Sequence, residues 1–538
     1  MATSGGAAAA SHTSSAQSSR STSTSKDVTP PPPNPSNSTP PAETSRRINL
    51  LRLALVIIGY AWILALPYEG LWKGTYMDEH SLQPAQVTMY FDWPNVHKAD
   101  RYLDDLESIV NGTFAERSAY LLNAFAAAGL SAGNTSQAVY ASVTPPRSAG
   151  TETILISANW ESRDGGPNLR GVAMLLSLGD FLRGQNHWAF NIVLIIGDSY
   201  LTGLADFMES YHTLFPGVIW TGLNIDYPGH SFSHLGVFYE GVNGRLPNQD
   251  VPNTIAHVGK WAGGVEMRLH DIPVEHPEWV GGLPEVIRGL VGGYVVGARH
   301  LWEHGKYMAL GRASAAHGVM AKYRIDSSTL YCTPSTGPHG FHTLGRTLES
   351  TLRSLNNLLE RLHASYFFYL LPYPGKFIPV GNYLPSSIAI GASAVIGGLA
   401  CPQPPSIRGI GYMLLAFGIG AVGWMTQSPA VSILALAIPS LPEGRVRDTV
   451  KSLTHILYGA MIPTLAMLNY PQSILLGTIT TAYLAPWRPV RWAALAVHPA
   501  LVQWVVPGLE EEWRVLGNTF WPGVFVVWVP LWVIAAIL

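Results

Sequence analysis

The sequence predicts an α/β domain with a doubly wound, mostly parallel sheet, attached to a multi-span α-helical membrane bundle. Three observations carry that reading. Charged residues make up only 13% of the 538-residue chain, about half of what a soluble domain carries, so much of it belongs where charge is costly. Apolar runs crowd the stretch from 382 to 538, and another lies at 50–66. Between them, at 151–226, short apolar runs alternate with a segment of helical period, the pattern of strand, crossover helix and parallel strand.

The length accommodates two to four domains of roughly 150 residues each. A net charge of −2 provides no basic field for nucleic acid. The mean hydropathy is positive and there are 17 Trp. Two Cys, at 332 and 401, exclude a disulfide scaffold.

Residues 1–47 are rich in Ser, Thr, Ala and Pro. They have too few large apolar side chains to offset the entropy of ordering, and are expected to form a disordered cytosolic tail. Residues 48–67 hold the run LLRLALVIIGYAWILAL, preceded by Arg46 and Arg47. No small-residue cleavage site follows, so the run reads as an uncleaved signal anchor with its Arg side in the cytosol. Residues 68–375 then form an exported domain, with acceptor sequons at Asn111 and Asn134 and another at Asn37 in the tail.

Residues 376–538 contain seven candidate helices: 382–400, 409–425, 429–442, 452–470, 472–486, 492–507 and 519–538. Basic residues follow the odd-numbered runs: Arg408, then Arg445, Arg447 and Lys451, then Arg488 and Arg491. The alternate loops are uncharged or acidic, as at Glu510 to Glu512. A soluble core does not sort its loop charges this way. With the anchor, eight spans and two cytosolic termini are expected. A transporter is a further reading, because polar groups at membrane depth would mark a pathway; His455, His498 and Asn469 are its candidates.

In the exported domain, TETILISA (151–158), NIVLII (191–196) and TGLNID (221–226) read as strands, and GVAMLLSLGDFLR (171–183) as the helix between the first two. The strand-end motifs resemble those of the co-catalytic zinc aminopeptidases, which implies an aminopeptidase-like sheet. Carried over, the resemblance puts Asn159 where a zinc-ligating His belongs and Glu161 at its supporting Asp. Pro167, with Asn168 beside it, falls at the bridging carboxylate. Asp198 falls at the general base and Ser199 at a ligand position, while Asp226 and His317 match ligands. Pro cannot coordinate and a neutral amide binds zinc poorly, so these are remnants; no two-metal site, cofactor or catalytic residue is expected. Asp226 alternatively serves as a loop-capping carboxylate, His317 as a satisfied buried imidazole, and Asp198 as a cap of the following turn. A single divalent ion on Asp198, Asp226 and His317 would make the chain a metal-assisted peptide synthetase or hydrolase. His339 and His342, in PHGFH, read as loop residues.

Four further stretches, TYMDEHSLQPAQV, RGQNHWAFNIVLIIGDSYLTGLADFMESYH, GVFYEGVNGRLPNQD and LNNLLERLHASYFFYLLPYPGKFIPVGNYLP, resemble the anchor-attachment subunit family of the glycosylphosphatidylinositol (GPI) transamidase. That resemblance implies a multi-pass glycoprotein of the endoplasmic reticulum membrane with a luminal pseudoenzyme domain. The expected partners are the other subunits, including a caspase-like cysteine catalytic subunit, together with GPI, proproteins and membrane lipids. The implied role is assembling the complex and positioning GPI, which would make attack by its amine effectively unimolecular. The family implicates the last span in lipid recognition. The expected GPI contacts are Trp521, Trp528 and Pro530 there, and Tyr373, Lys376, Phe377 and Asn382 at the junction before the first post-domain span.

Overall fold

The computed structural model describes residues 42–74, 88–357, 368–401 and 404–538. Residues 1–41 of the expected tail, Asn37 among them, and the family-like stretch at 75–87 lie outside the described residues. In chain order the elements are α1 (Ala42–Ala65), β1 (Lys73–Gly74), α2 (Trp93–Ser108), α3 (Phe114–Ala127), β2 (Ser131–Asn134), β3 (Ala138–Val143), β4 (Glu152–Ser157), α4 (Leu169–Arg183) and β5 (Asn191–Gly197). Next come α5 (Thr202–Leu214), β6 (Val218–Asp226), β7 (Ser231–Phe238), α6 (Asp250–Val258), β8 (Glu266–Leu269), α7 (Glu278–Gly281), α8 (Glu285–Ala309), α9 (Gly318–Lys322), β9 (Asp326–Ser335) and α10 (Phe341–Asn356). The junction and bundle follow as β10 (Tyr369–Tyr373), β11 (Lys376–Pro379), α11 (Val380–Leu399), α12 (Ile407–Met425), α13 (Arg445–Leu468), α14 (Tyr470–Tyr483), α15 (Arg488–Leu495), α16 (Leu501–Val505), α17 (Leu509–Leu516) and α18 (Phe520–Ile537).

Eight strands form one mixed sheet in the order β2-β3-β5-β4-β6-β9-β7-β8. Its centre, β5-β4-β6-β9, is parallel, while β2-β3, β3-β5 and β7-β9 pair antiparallel. The central strands are buried on both faces. Ile154, Ile156, Ile192 and Leu194 join the core under α2, α3, α4 and α10. Leu155, Val193 and Ile195 point the other way, to α5 and α9. This period-two division of an unbroken apolar run explains why the strands read as continuous hydrophobic segments. The expected strands and α4 are present, each extended or shifted by at most a few residues.

Both chain crossings between domain and bundle are stapled together. Lys73 and Gly74, just after α1, pair with Phe377 and Lys376 in β11, just before α11. The bundle and domain also meet through buried amides. Asn469 Nδ2 donates to the Met308 carbonyl at 2.7 Å, and Asn518 Nδ2 to the Leu310 carbonyl at 3.1 Å.

Among the described residues, three helices are long and apolar enough to cross a membrane: Arg46–Ala65, Ile407–Met425 and Phe520–Ile537. Beside them run α11, of 20 residues, and α13, of 24. Seven continuous helices are not formed. The run 429–442 is a nine-residue 3-10 helix, Pro429–Ala437, because Pro439 and Pro442 force extended backbone before them. The run 492–507 divides into α15 and α16 around Pro499. At 14 residues, α14 spans only about 21 Å of the roughly 30 Å hydrocarbon core. Most of α1 faces outward, with Ile57 58% and Leu64 67% exposed, whereas two thirds of α18 is buried. The last helix is therefore the centre of the bundle.

α11 and α13 cross at backbone contact. A Cβ on Gly459 would lie 2.8 Å from the Val395 nitrogen, and one on Gly391 2.5 Å from the Gly459 carbonyl, the close approach that small residues permit between membrane helices. Gly459→Leu is expected to cost about 3 kcal/mol by overpacking. The thermal unfolding midpoint of the detergent-purified chain checks this. Gly411→Leu is the control, because its side chain would meet nothing within 4 Å.

Candidate functional site

The strand carboxyl ends, where parallel sheets bind ligands, hold the aminopeptidase-like positions. Asn168 precedes α4 and acts as a staple. Its Nδ2 donates to the Asn159 and Ile225 carbonyls at 2.9 and 3.0 Å, and its Oδ1 accepts from the Tyr227 amide at 2.7 Å. A carboxylate bridging two metals would have no donor for those carbonyls. Asn159 Nδ2 is likewise spent on the Tyr200 carbonyl. Asp198 does not cap the following turn; it pairs with Arg117 at 2.7 Å. Ser199 serves that turn instead, accepting from the Thr202 amide at 3.2 Å. Both nitrogens of the buried His317 are engaged, Nδ1 with Thr329 Oγ1 at 3.0 Å and Nε2 with the Glu240 carbonyl at 3.1 Å. Burial lowers its pKa to about 4, so it is neutral at pH 7. This donor set does not fit two zinc ions: two amides donate to backbone, one carboxylate is paired to a guanidinium, and one imidazole is saturated.

Asp226 is the remaining carboxylate. Its Oδ2 accepts from the Arg163 amide at 3.0 Å and so caps that loop; its Oδ1 is buried without a partner among the described residues. Burial pushes its pKa up to about 6. A raised carboxylate pKa means that the folded state gains stability as pH falls from about 6 toward 3.8, and bears a cost above 6. Asp226→Asn is therefore expected to stabilise the chain by on the order of 1–3 kcal/mol at pH 7. The difference should vanish near pH 4, as thermal unfolding at the two pH values would show.

A second constellation was not visible in the sequence. Glu240, after β7, is fully buried, with its two oxygens 2.6 Å from His270 Nε2 and 2.6 Å from His304 Nδ1. Burial opposes its ionisation, but the two imidazoles hold its pKa well below the usual carboxylate range. His270 adopts φ 53° and Asp271 φ 65°, a left-handed pair rare outside Gly that brings the His270 ring under β7. The contributing residues are tens of positions apart. The one local signal was His300 and His304, four apart on α8 and hence on one face.

The third feature is an apolar groove of about 210 Å³ between α13, α14 and α18, lined by Met461, Leu465, Leu476, Gly523, Val527 and Leu531 among others, with Gln472 and Thr519 at one end. Thr519 is tied to the domain, its amide and hydroxyl both donating to Asn243 Oδ1 at 2.7 and 2.8 Å. The groove thus starts at the seam between domain and bundle and runs along the last helix. That helix contains a π turn, Val524–Trp528, immediately before Pro530, and the Tyr458 hydroxyl donates to the Val527 carbonyl at 2.9 Å.

The structure separates the residues expected to contact GPI. Trp528 lines the groove, and its Nε1 donates to the Tyr483 hydroxyl at 2.9 Å. Trp521 is 2% exposed and bonded to Gln427 Oε1, so it packs protein and does not form an interfacial belt. Pro530 is buried in the bundle core. Tyr373, Lys376 and Phe377 lie in the β10–β11 hairpin, and Asn382 Nδ2 bonds the Leu71 carbonyl. That junction packs with Leu66, Tyr383 and Tyr470, in a different core from Phe520 and Val524. Among the polar groups considered for a transport path, His455 bonds its own helix at Lys451, His498 meets Ser432, and Asn469 anchors the domain. They form no continuous line.

A family model described as Gaa1-like, GPI transamidase component, matches residues 135–403, a range that takes in most of the sheet and all of α11. The chain belongs to this family. Its relatives include the GPI transamidase component GAA1 of Saccharomyces cerevisiae, 27% identical over 475 residues, 80% of this chain and 74% of that one. The gaa1 component of Schizosaccharomyces pombe is 29% identical over 389 residues, 65% of this chain and 64% of that one. Similar solved structures include the Legionella pneumophila LapA aminopeptidase, 11% identical with a TM-score of 0.32, covering 51% of this chain and 79% of that one. A Fimbriiglobus ruber glutaminyl cyclase is 12% identical with a TM-score of 0.29, covering 50% and 97%. For a Gaa1-like chain, the strand-end residues, most of them committed to other partners, and the groove beside the last helix are the two features that bear on function.

Proposed function

We propose that this Gaa1-like chain is a non-catalytic subunit of a GPI transamidase in the endoplasmic reticulum membrane, assembling the complex and holding GPI. The observation that carries the reading is the groove along α18. It is apolar along the bundle, becomes polar at Thr519 and Gln472, and begins at the seam with the α/β domain. Such a shape suits a ligand with acyl chains in the bilayer and a polar head beside the domain. Fixing the GPI amine there would favour aminolysis of a thioester, formed by a cysteine subunit, over its hydrolysis.

The rival metal-assisted reading needs Asp198, Asp226 and His317 to act on substrate. In purified complex, Asp226→Asn and His317→Gln are expected to leave turnover per assembled complex within about twofold of wild type, whereas losing a general base or its metal would cost about 100-fold or more. A loss of that size with assembly intact would overturn the non-catalytic reading.

We place the α/β domain in the lumen. Asn111 and Asn134 are exposed, so both sequons are expected to be glycosylated on export. Glycosylation at Asn37 in place of these two would reverse the topology.

A further inference from the structure

At the end of the bundle away from the α/β domain, a cavity of about 540 Å³ opens between the start of α13, the end of α14 and α15. The far end of α13 places it, since Asn469 there is the residue bonded to the domain. Arg447, Lys451, Arg488 and Arg491 line the cavity, against Glu443 and Asp448. Arg447 is engaged: Nη2 donates to the Leu538 carbonyl at 2.6 Å, and Nη1 lies 3.6 Å from Glu443, whose side chain is 90% exposed. Lys451, Arg488 and Arg491 have no side-chain hydrogen bond or ion pair among the described residues. Arg491 also lies within repulsive range of Arg447 and Arg488. Four basic side chains face two carboxylates, and three of the four have no partner among the described residues, so the cavity retains an excess of positive charge that suits an anion.

The rim identifies which anion. Trp487, Val490 and Trp492, on and beside α15, are 61%, 45% and 62% exposed. They interleave with Arg488 and Arg491: Trp487 and Arg491, and likewise Arg488 and Trp492, are four apart and share a side of the short helix, so the guanidinium groups at the cavity are flanked by exposed indoles. Exposed Trp is at home where headgroups meet hydrocarbon, and basic pockets between membrane helices hold lipid headgroups. We propose that this cavity binds the phosphate of an anionic phospholipid, with the acyl chains lying against Trp487, Val490 and Trp492. The cavity lies farther from the α/β domain than the groove, one contact beyond it, since Trp528 of the groove bonds Tyr483 of the cavity wall; the proposal does not depend on the groove's role.

The test uses the full chain reconstituted into phosphatidylcholine vesicles doped with phosphatidylinositol, then extracted in mild detergent, with the retained lipids counted by mass spectrometry. Wild type is expected to retain phosphatidylinositol in preference to phosphatidylcholine. At about fivefold per basic side chain, the Arg488→Gln/Arg491→Gln double variant should lose about 25-fold of that preference, and the double Lys variant should keep most of it. Arg408→Gln removes an exposed charge outside the cavity, from α12, and should change retention little. A parallel arm offers soluble inositol phosphate and inorganic phosphate to the chain in pure phosphatidylcholine. Unchanged retention in the double Gln variant would overturn the site, as would an equal loss in Arg408→Gln. Saturation by the soluble phosphates without lipid enrichment would overturn the assignment to a lipid.

Discussion

Glu240→Ala is expected to destabilise the chain by about 3–5 kcal/mol, the cost of breaking a buried ion pair from one side. The carboxylate sits at 0% exposure with an imidazole on each oxygen. Its removal leaves His270 Nε2 with no acceptor and His304 Nδ1 with only the Tyr239 hydroxyl at 3.1 Å, and opens a void under β7. Four segments converge on this point: the end of β7, the end of β8, α8, and His317 just before α9, which bonds the Glu240 carbonyl. The loss should therefore loosen the whole edge of the sheet beside the bundle, and not one side chain alone. Thermal unfolding of the detergent-purified chain checks it, with a midpoint roughly 10 °C lower at pH 7. Glu240→Gln, which keeps the shape, should cost less. Because the folded pKa of Glu240 is held down, its contribution is complete above about 4.5 and is lost as pH falls below that value. The gap between wild type and Glu240→Gln should accordingly narrow in acid.

That cluster also marks where sequence reading stops. The strands at 151–226 and α4 were legible because their side chains answer to one dominant neighbour, the core, which stamps a period on the sequence. The aminopeptidase-like remnants were legible because they follow strand ends in a fixed order. Glu240, His270 and His304 belong to three segments whose meeting is set by tertiary packing, so local spacing shows only the helical pair His300 and His304 and not the carboxylate that His304 meets. Asp198 was misassigned for the same reason: its partner, Arg117, lies on α3, eighty-one positions earlier. In the bundle, hydropathy found every apolar run but could not divide them. Pro439, Pro442 and Pro499 interrupt helices that an apolar count treats as continuous. The sequence did not show that Trp521 is buried against Gln427, because a central helix and a peripheral one have the same composition.

Filling the groove is the second change with a large expected effect. Gly523 lines it, and a Cβ added there would meet nothing within 4 Å. Gly523→Trp should therefore leave the fold and the assembly of the complex intact, while the indole occupies space proposed for lipid. Excluding even two buried methylenes weakens binding by about tenfold. GPI co-purifying with the complex should fall by at least that much, with subunit recovery unchanged. Pro530→Leu should have a smaller effect, since Pro530 is packed in the bundle core and does not line the groove. Lys376→Ala, in the β10–β11 hairpin, should have little effect if the groove alone holds the lipid.

The most direct measurement is photo-crosslinking of the purified complex with a GPI analogue carrying a diazirine on an acyl chain, followed by peptide mapping of the adducts. The account predicts adducts on this chain within Met461–Ile479 and Phe520–Leu531, the two sides of the groove, and their suppression by Gly523→Trp. Adducts confined to other subunits, or to surfaces of this chain outside the groove, with no change in the variant, would contradict it.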